Sequence, residues 1–287
     1  MEIIDAQVHE PMPTAPWPLD DASRTLLSVE LAREALDCVG VDAALLQATV
    51  PFCQAALQRY PARFAGCPMA EPPAGVSAAE HLAELKRTPG ILAVRTVVRT
   101  FTDGSFMPAF TAGAYEPIYA AARTVGLPVF MQAAGHLPEI CALIERHADV
   151  LFILDHCGLN QQPSLIAADP WADIPDVVAM ARYPNVALKM SGAITLARTP
   201  YPFPDVWPAL LKLVTAFGPE RLMWGSDFTR MRYAPRTTVR GPRSGWFGTY
   251  ANALHYVRDT HELSASDKTQ ILGGTIKRLL NWNRPAE

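Results

Sequence analysis

The sequence predicts one (β/α)8 TIM barrel, an α/β fold covering residues 1–287 as a single domain. Three observations predict it. Eight short apolar runs bounded by turn residues read as buried strands, too short for buried helices. Segments with apolar residues at three- and four-residue spacing lie between them and read as amphipathic helices. The length of 287 residues suits one α/β barrel. An open doubly wound sheet is the alternative. It is disfavoured because His9 is followed by EPMPTAPWP, not by a glycine-rich phosphate turn.

The first four strands are read at Ile3–His9 (IIDAQVH), Ala43–Ala48 (AALLQA), Phe64–Met69 (FAGCPM) and Ile91–Val98 (ILAVRTVV). The last four are Pro128–Gln132 (PVFMQ), Leu151–His156 (LFILDH), Val186–Met190 (VALKM) and Leu222–Asp227 (LMWGSD). Helical spacing marks Val29–Cys38, Ala78–Lys86, Tyr115–Val125 and Leu137–His147. Gly40, Gly90, Gly126 and Gly218 stand where helix C-caps belong. No repeat, low-complexity tract or interdomain linker interrupts the pattern. Stretches rich in proline or arginine at 10–18 and 230–243 each follow a strand. Both are therefore expected as loops at the C-terminal face, where barrel enzymes carry their chemistry.

Composition narrows the function. Hydrophobic residues make up 49% and charged residues 18%, which marks a globular rather than a disordered chain. With 25 Lys+Arg against 28 Asp+Glu the net charge is −3, so neither a nucleic-acid nor a membrane partner is expected. No apolar run approaches the roughly 18–20 residues of a membrane span. The opening MEIIDAQVHE has no basic region followed by an apolar one, so no signal peptide is read and a cytoplasmic location is expected. Five scattered cysteines without a CxxC pair read as reduced thiols.

The functional signal is the polar residues at the strand ends. Gln7 and His9 share one face of the first strand, and Arg95 and Arg99 one face of the fourth. Gln132, His156, Lys189 and Asp227 end four further strands. A lone histidine at a strand end is more often structural than catalytic. Six strands ending this way are hard to explain by structure alone, because burying so many polar groups costs several kcal/mol unless they are paired or line a pocket.

The motifs IDAQVH, GVDAALLQ, ILAVR, LPVFMQAAGHLPEI, LDHCGL, NVALKMSG, ERLMWGSD and LSASDKTQILGGTIKRLLNW run nearly the length of the chain. In that order they resemble the amidohydrolase superfamily, in its amidohydrolase 2 branch. LDHCG, the Lys-x-Ser of LKMSG and WGSD are more similar to its lactonases, including the 2-pyrone-4,6-dicarboxylate lactonase type, than to its decarboxylases. Metal-binding members take the ion from a His-x-His pair on the first strand, a histidine on the fifth and an aspartate on the eighth. Here Gln7 and Gln132 fall on two of those four positions, and only His9 and Asp227 remain. A glutamine carbonyl is a poor zinc ligand. No metal cofactor is therefore expected; the alternative is one divalent ion such as zinc at His9 and Asp227. His136, four residues past Gln132, is a candidate replacement ligand or a surface residue at a helix start.

The resemblance implies a hydrolase opening a small lactone. Asp227 is the expected general base. His156 is expected to polarise the carbonyl or bind the oxyanion, with His9 sharing that work or orienting the water. Gln7 and Gln132 would hold a water or a substrate oxygen. Lys189 would lie near the carbonyl, or pair with Asp155 or Asp227. Arg95 and Arg99 point to an anionic small-molecule substrate, since guanidinium forks bind carboxylates. Arg230, Arg232, Arg236, Arg240 and Arg243 read as a lid or as a solvated basic loop; Trp17 would wall the mouth, and Trp246 and Phe247 would close it. Two other functions are weighed: a decarboxylase of an unsaturated or aromatic acid, and a non-catalytic binding barrel. The lost metal positions count against the first, and the joint retention of His9, His156 and Asp227 against the second.

Overall fold

The computed structural model describes residues 1–11, 19–162, 165–231 and 248–284. The calls on Trp17, Arg232, Arg236, Arg240, Arg243, Trp246 and Phe247 lie outside the described residues. Eight strands form: β1 (Ile4–Val8), β2 (Ala43–Leu46), β3 (Phe64–Gly66), β4 (Val94–Val97), β5 (Val129–Gln132), β6 (Phe152–Leu154), β7 (Val186–Ser191) and β8 (Leu222–Gly225). They make parallel ladders β1-β2-β3 and β4-β5-β6-β7-β8.

Backbone hydrogen bonds bridge both seams. Between β3 and β4, Leu92 N donates to Gly66 O at 3.0 Å and Arg95 N to Pro68 O at 2.8 Å. Between β8 and β1, Asp227 N donates to Gln7 O at 3.1 Å.

Strand alternation divides the core in two. Ile4, Ala6, Ala43, Leu45, Ala65, Cys67, Ala93, Phe130, Ile153, Ala187 and Met223 fill the barrel interior, and Ile276, Leu280 and Trp282 join that cluster from the C-terminal segment. The alternate residues, such as Leu46, Val94, Phe152, Leu188 and Trp224, pack against the surrounding helices. The two-residue period then carries Gln47, Arg95, Gln132, Asp155, Lys189 and Ser191 to the inward side, one or two steps above the apolar plug. That is how a strand pattern becomes a site at the C-terminal mouth.

Some expected boundaries move. The first helix is Asp21–Val39, starting eight residues early because the Asp20 carboxylate caps Ser23 N. Gly40 and Gly126 end their helices in the left-handed conformation as expected. Gly90 does not: its helix stops at Arg87, capped by Thr88, and Gly90 with φ 85° serves the following turn. Gly218 follows its helix at φ 72°, ψ 152°, outside the left-handed helical region. The helix expected over Leu137–His147 shortens to Cys141–Arg146, with turns before it. Among the described residues no helix is long and apolar enough to cross a membrane.

Candidate active site

The inward residues of β4, β6 and β7 bring three charges together. Asp155 takes Arg95 Nε at 2.7 Å and Lys189 Nζ at 2.6 Å, and neither Asp155 nor Lys189 is reached by solvent. Lys189 also stands 4.9 Å from the centroid of the Phe130 ring. Burial alone would raise the Asp155 carboxyl, but Lys189 and Arg95 hold it well below the ordinary range. Burial and the neighbouring Arg95 lower the Lys189 ammonium, while Asp155 supports its charge. Lys189 is thus committed to Asp155, the first of the two partners the sequence allowed. Two cations on one anion leave a net positive charge beneath the mouth. Arg95 keeps 10% side-chain exposure, and its two terminal nitrogens have no hydrogen-bond partner among the described residues.

Above the triad, Gln7 joins the two histidines. Its Nε2 lies 3.2 Å from His9 Nε2 and 3.4 Å from His156 Nε2. Its Oε1 accepts from Ser191 Oγ at 2.8 Å. The tautomer of His156 follows by counting protons. The Ser191 hydroxyl spends its proton on Gln7, so it accepts from His156 Nδ1 at 3.2 Å. His156 Nε2 is then an acceptor and faces the Gln7 amide nitrogen. His9 Nδ1 donates to the carbonyl of Gln47 at 2.6 Å, which turns Nε2 toward Gln7 and Asp227. Burial drives the His156 imidazole down to about 4, so it is neutral near pH 7.

Asp227 completes the cluster, with Oδ1 3.3 Å from His9 Nε2. Burial pushes its carboxyl up, but the contact with His9 and the fields of His156 and Lys189 carry it below the ordinary value. It is ionised at neutral pH. Both His156 (φ 56°) and Asp227 (φ 54°) adopt the left-handed backbone conformation, sparsely populated outside glycine and common at functional positions. β8 is locked to β1 at this point. Buried Asp5 accepts from Ser226 N at 2.8 Å, from Ser226 Oγ at 2.5 Å and from Gln7 N at 3.0 Å.

Gln7, His9, His156 and Asp227 therefore meet, and Arg95 and Lys189 lie in the charged layer below. Gln132 is buried at the end of β5, but its Oε1 accepts from Ala134 N at 3.2 Å, shaping its own turn. Arg99 is fully buried, and none of its three guanidinium nitrogens has a hydrogen-bond partner among the described residues. His136 is no part of this cluster. Its Nε2 contacts Gly104 O at 2.6 Å and its ring stacks on Phe106 at 4.0 Å, so it braces the loop after Arg99. Arg230 is exposed. The sequence reading missed Ser191, although it sits in the quoted LKMSG, and Gln47, which the Ala43–Leu45–Gln47 alternation marks as inward.

A family profile described as amidohydrolase matches residues 4–282. The chain belongs to the amidohydrolase family. An L-fucono-1,5-lactonase of Burkholderia ambifaria is 25% identical over 211 residues, 71% of this chain and 66% of that relative. The match thus spans just under two thirds of the relative's length. Among solved structures, a probable 2-pyrone-4,6-dicarboxylic acid hydrolase from Acinetobacter baumannii with citric acid bound superposes with TM-score 0.70. It is 18% identical, over 98% of this chain and all of that one. An amidohydrolase from Burkholderia multivorans with bound zinc gives TM-score 0.69 at 21% identity, over 99% of this chain and all of that one.

That zinc raises the question of whether this amidohydrolase offers a comparable donor set. Among the described residues no three His, Cys, Asp or Glu side chains converge as metal donors. His9 and Asp227 supply two, in direct contact, and the amide nitrogen of Gln7 turns toward His9 Nε2. Zinc sites normally take three or four imidazole, thiolate or carboxylate donors. The residues present do not fit a resident zinc ion.

Proposed function

We propose that this amidohydrolase opens a small carboxylate-bearing lactone by general-base activation of water, without a metal. The observation that carries the reading is Asp227: a buried, ionised carboxylate touching His9 at the mouth of a barrel whose floor is net positive. The curated lactonase relative and the family membership support the hydrolase class. The small donor set supports the metal-free part.

In this reading water attacks the lactone carbonyl as Asp227 takes its proton. The carbonyl oxygen gains the charge, and the unpaired terminal nitrogens of Arg95 stabilise it, backed by Lys189. The ring C–O bond then breaks, and the proton held at Asp227 passes to the departing alkoxide, with His9 Nε2 beside the carboxylate. The product is a hydroxy acid. His156, protonated on Nδ1, positions Gln7 and Ser191; it donates toward a carbonyl only after the Gln7 amide turns over. Gln132 holds the β5 turn that borders the mouth. Arg99 holds the substrate carboxylate, because an unpaired buried guanidinium is costly until an anion meets it. The five free cysteines suit a reducing compartment, and the reading places the enzyme in the cytoplasm.

The test is acid release at constant pH from L-fucono-1,5-lactone and 2-pyrone-4,6-dicarboxylate, with and without chelator. Ring opening that persists in chelator is expected. No acid from either lactone would overturn the lactonase reading. Activity lost in chelator and restored by zinc would overturn its metal-free part.

A further inference from the structure

We propose that the Gln47 side chain is a specificity-determining residue that hydrogen-bonds a ring hydroxyl of the substrate, so that the lactone is a hydroxylated one. The inference rests on the lactonase reading and adds to it the chemistry of the ring. Gln47 directly follows β2, where Ala43 and Leu45 point into the barrel and Ala44 and Leu46 point away. Its backbone stays in register, donating from N to Val8 O at 2.9 Å. Alternation therefore turns its side chain inward, one step above Leu45, at the height of the mouth.

The residue is 4% exposed, and neither Oε1 nor Nε2 has a hydrogen-bond partner among the described residues. A primary amide buried with both ends unsatisfied is destabilising, and native proteins seldom leave one so without a use. Its neighbours do not consume it. The contact between Gln47 and His9 runs through the Gln47 backbone carbonyl, which accepts from His9 Nδ1. The same residue thus fixes the histidine beside Asp227 and presents an idle donor and an idle acceptor next to it.

A hydroxyl is the group that satisfies both ends at once, because it donates one hydrogen bond and accepts others. A planar unsaturated ring carrying only carbonyl and carboxylate oxygens offers acceptors alone and leaves Oε1 unsatisfied. A plain alkyl ring satisfies neither atom. Sites built to bond a substrate hydroxyl reject the analogue lacking it strongly, because the protein group is left unpaired.

The experiment uses the whole chain and two kinds of uncharged, non-hydrolysable probe. δ-Valerolactam lacks ring hydroxyls; the gluco, manno, galacto and fuco 1,5-lactams carry them. Binding to wild type, Gln47→Leu and Gln47→Met is measured by calorimetry. Wild type is expected to bind at least one hydroxylated lactam about 10–100-fold more tightly than valerolactam. Both variants are expected to collapse that ratio to within about threefold and to melt at or above the wild-type temperature, since they remove an unsatisfied buried amide. A wild-type ratio near one, or a ratio that survives both substitutions, overturns the proposal. So does a lowered melting temperature with the ratio intact, which would make the amide structural. Lactone turnover is followed on the same wild-type preparation. A chain that discriminates among lactams through Gln47 yet opens no lactone loses the lactonase reading and keeps this one.

Discussion

Lys189 and Asp155 meet at 2.6 Å with neither side chain open to solvent. Their pairing is enforced from both sides, since Arg95 holds the second carboxylate oxygen at 2.7 Å. Removing one partner leaves the other charged and buried. Lys189→Met is therefore expected to cost about 3–5 kcal/mol of stability. Adding Asp155→Leu to that variant should deepen the loss, because Arg95 Nε is then left buried without its carboxylate. Urea denaturation of the two variants and wild type checks the order; a double variant as stable as the single one, or more so, would show that the triad is not the source.

Asp227→Asn keeps the shape of the side chain but cannot take a proton. A fall in kcat of roughly 10²–10⁴-fold with little change in KM is expected for lactone opening. Steady-state kinetics at neutral pH decides it. Near-normal kcat would move the base to His9 or His156.

Arg99→Met removes a guanidinium that is fully buried and has no hydrogen-bond partner among the described residues. The free protein should gain stability, on the order of 1–3 kcal/mol. KM for a carboxylate-bearing lactone should rise by about 10–100-fold, with a smaller effect on kcat. Thermal melts without ligand and kinetics with it test the two halves. Arg95→Met should differ, losing stability because its Nε holds Asp155.

Two buried groups give stability opposite pH slopes. Burial, partly offset by hydrogen bonds from Ser226, raises Asp5 to about 6 from 3.8. The folded chain then keeps a proton that the unfolded chain has lost, and this contribution, roughly 3 kcal/mol, is full below pH 3.8 and gone above pH 6. His156 at about 4 lies below its ordinary 6.5. Its contribution, of similar size, is full above pH 6.5 and lost as pH falls toward 4. Relative to wild type, Asp5→Asn should gain as pH rises from 4 to 6, and His156→Gln should gain as pH falls from 6.5 to 4. Melting temperatures across that range read both.

Gln7→His would place a second imidazole, and so a third donor, beside His9 and Asp227. That variant is expected to retain one zinc per chain through dialysis, whereas wild type retains none, because three donors replace two. Metal analysis of both proteins checks it, and stoichiometric zinc in wild type would contradict the expectation.

How far the sequence reaches is visible in particular residues. Strand ends marked Arg95 in ILAVR and Lys189 in VALKM, whereas the same alternation in AALLQA went unused and Gln47 was missed. Gln7, His9, His156 and Asp227 were legible as a group, since they stand at or just past the ends of β1, β6 and β8. The helix at Asp21 was not, because its first two turns expose Leu26 and Leu27 and so break the apolar stripe. The commitment of Lys189 to Asp155 was one of two open pairings, and only the barrel's radius chooses between partners on different strands. The orphaned state of Arg99 was out of reach, since a missing partner leaves no mark in composition.

In the proposed reaction the positive floor formed by Arg95, Lys189 and Asp155 would treat the two ends unequally. Opening a carboxylate-bearing lactone would turn an ester into a second anion without altering the protein's charge. The hydroxy acid would consequently be held more firmly than the lactone that entered. Chemistry and departure would then compete to limit turnover, with departure the slower step where little salt screens the charge. A field that stabilises the proposed transition state would thus retard product release.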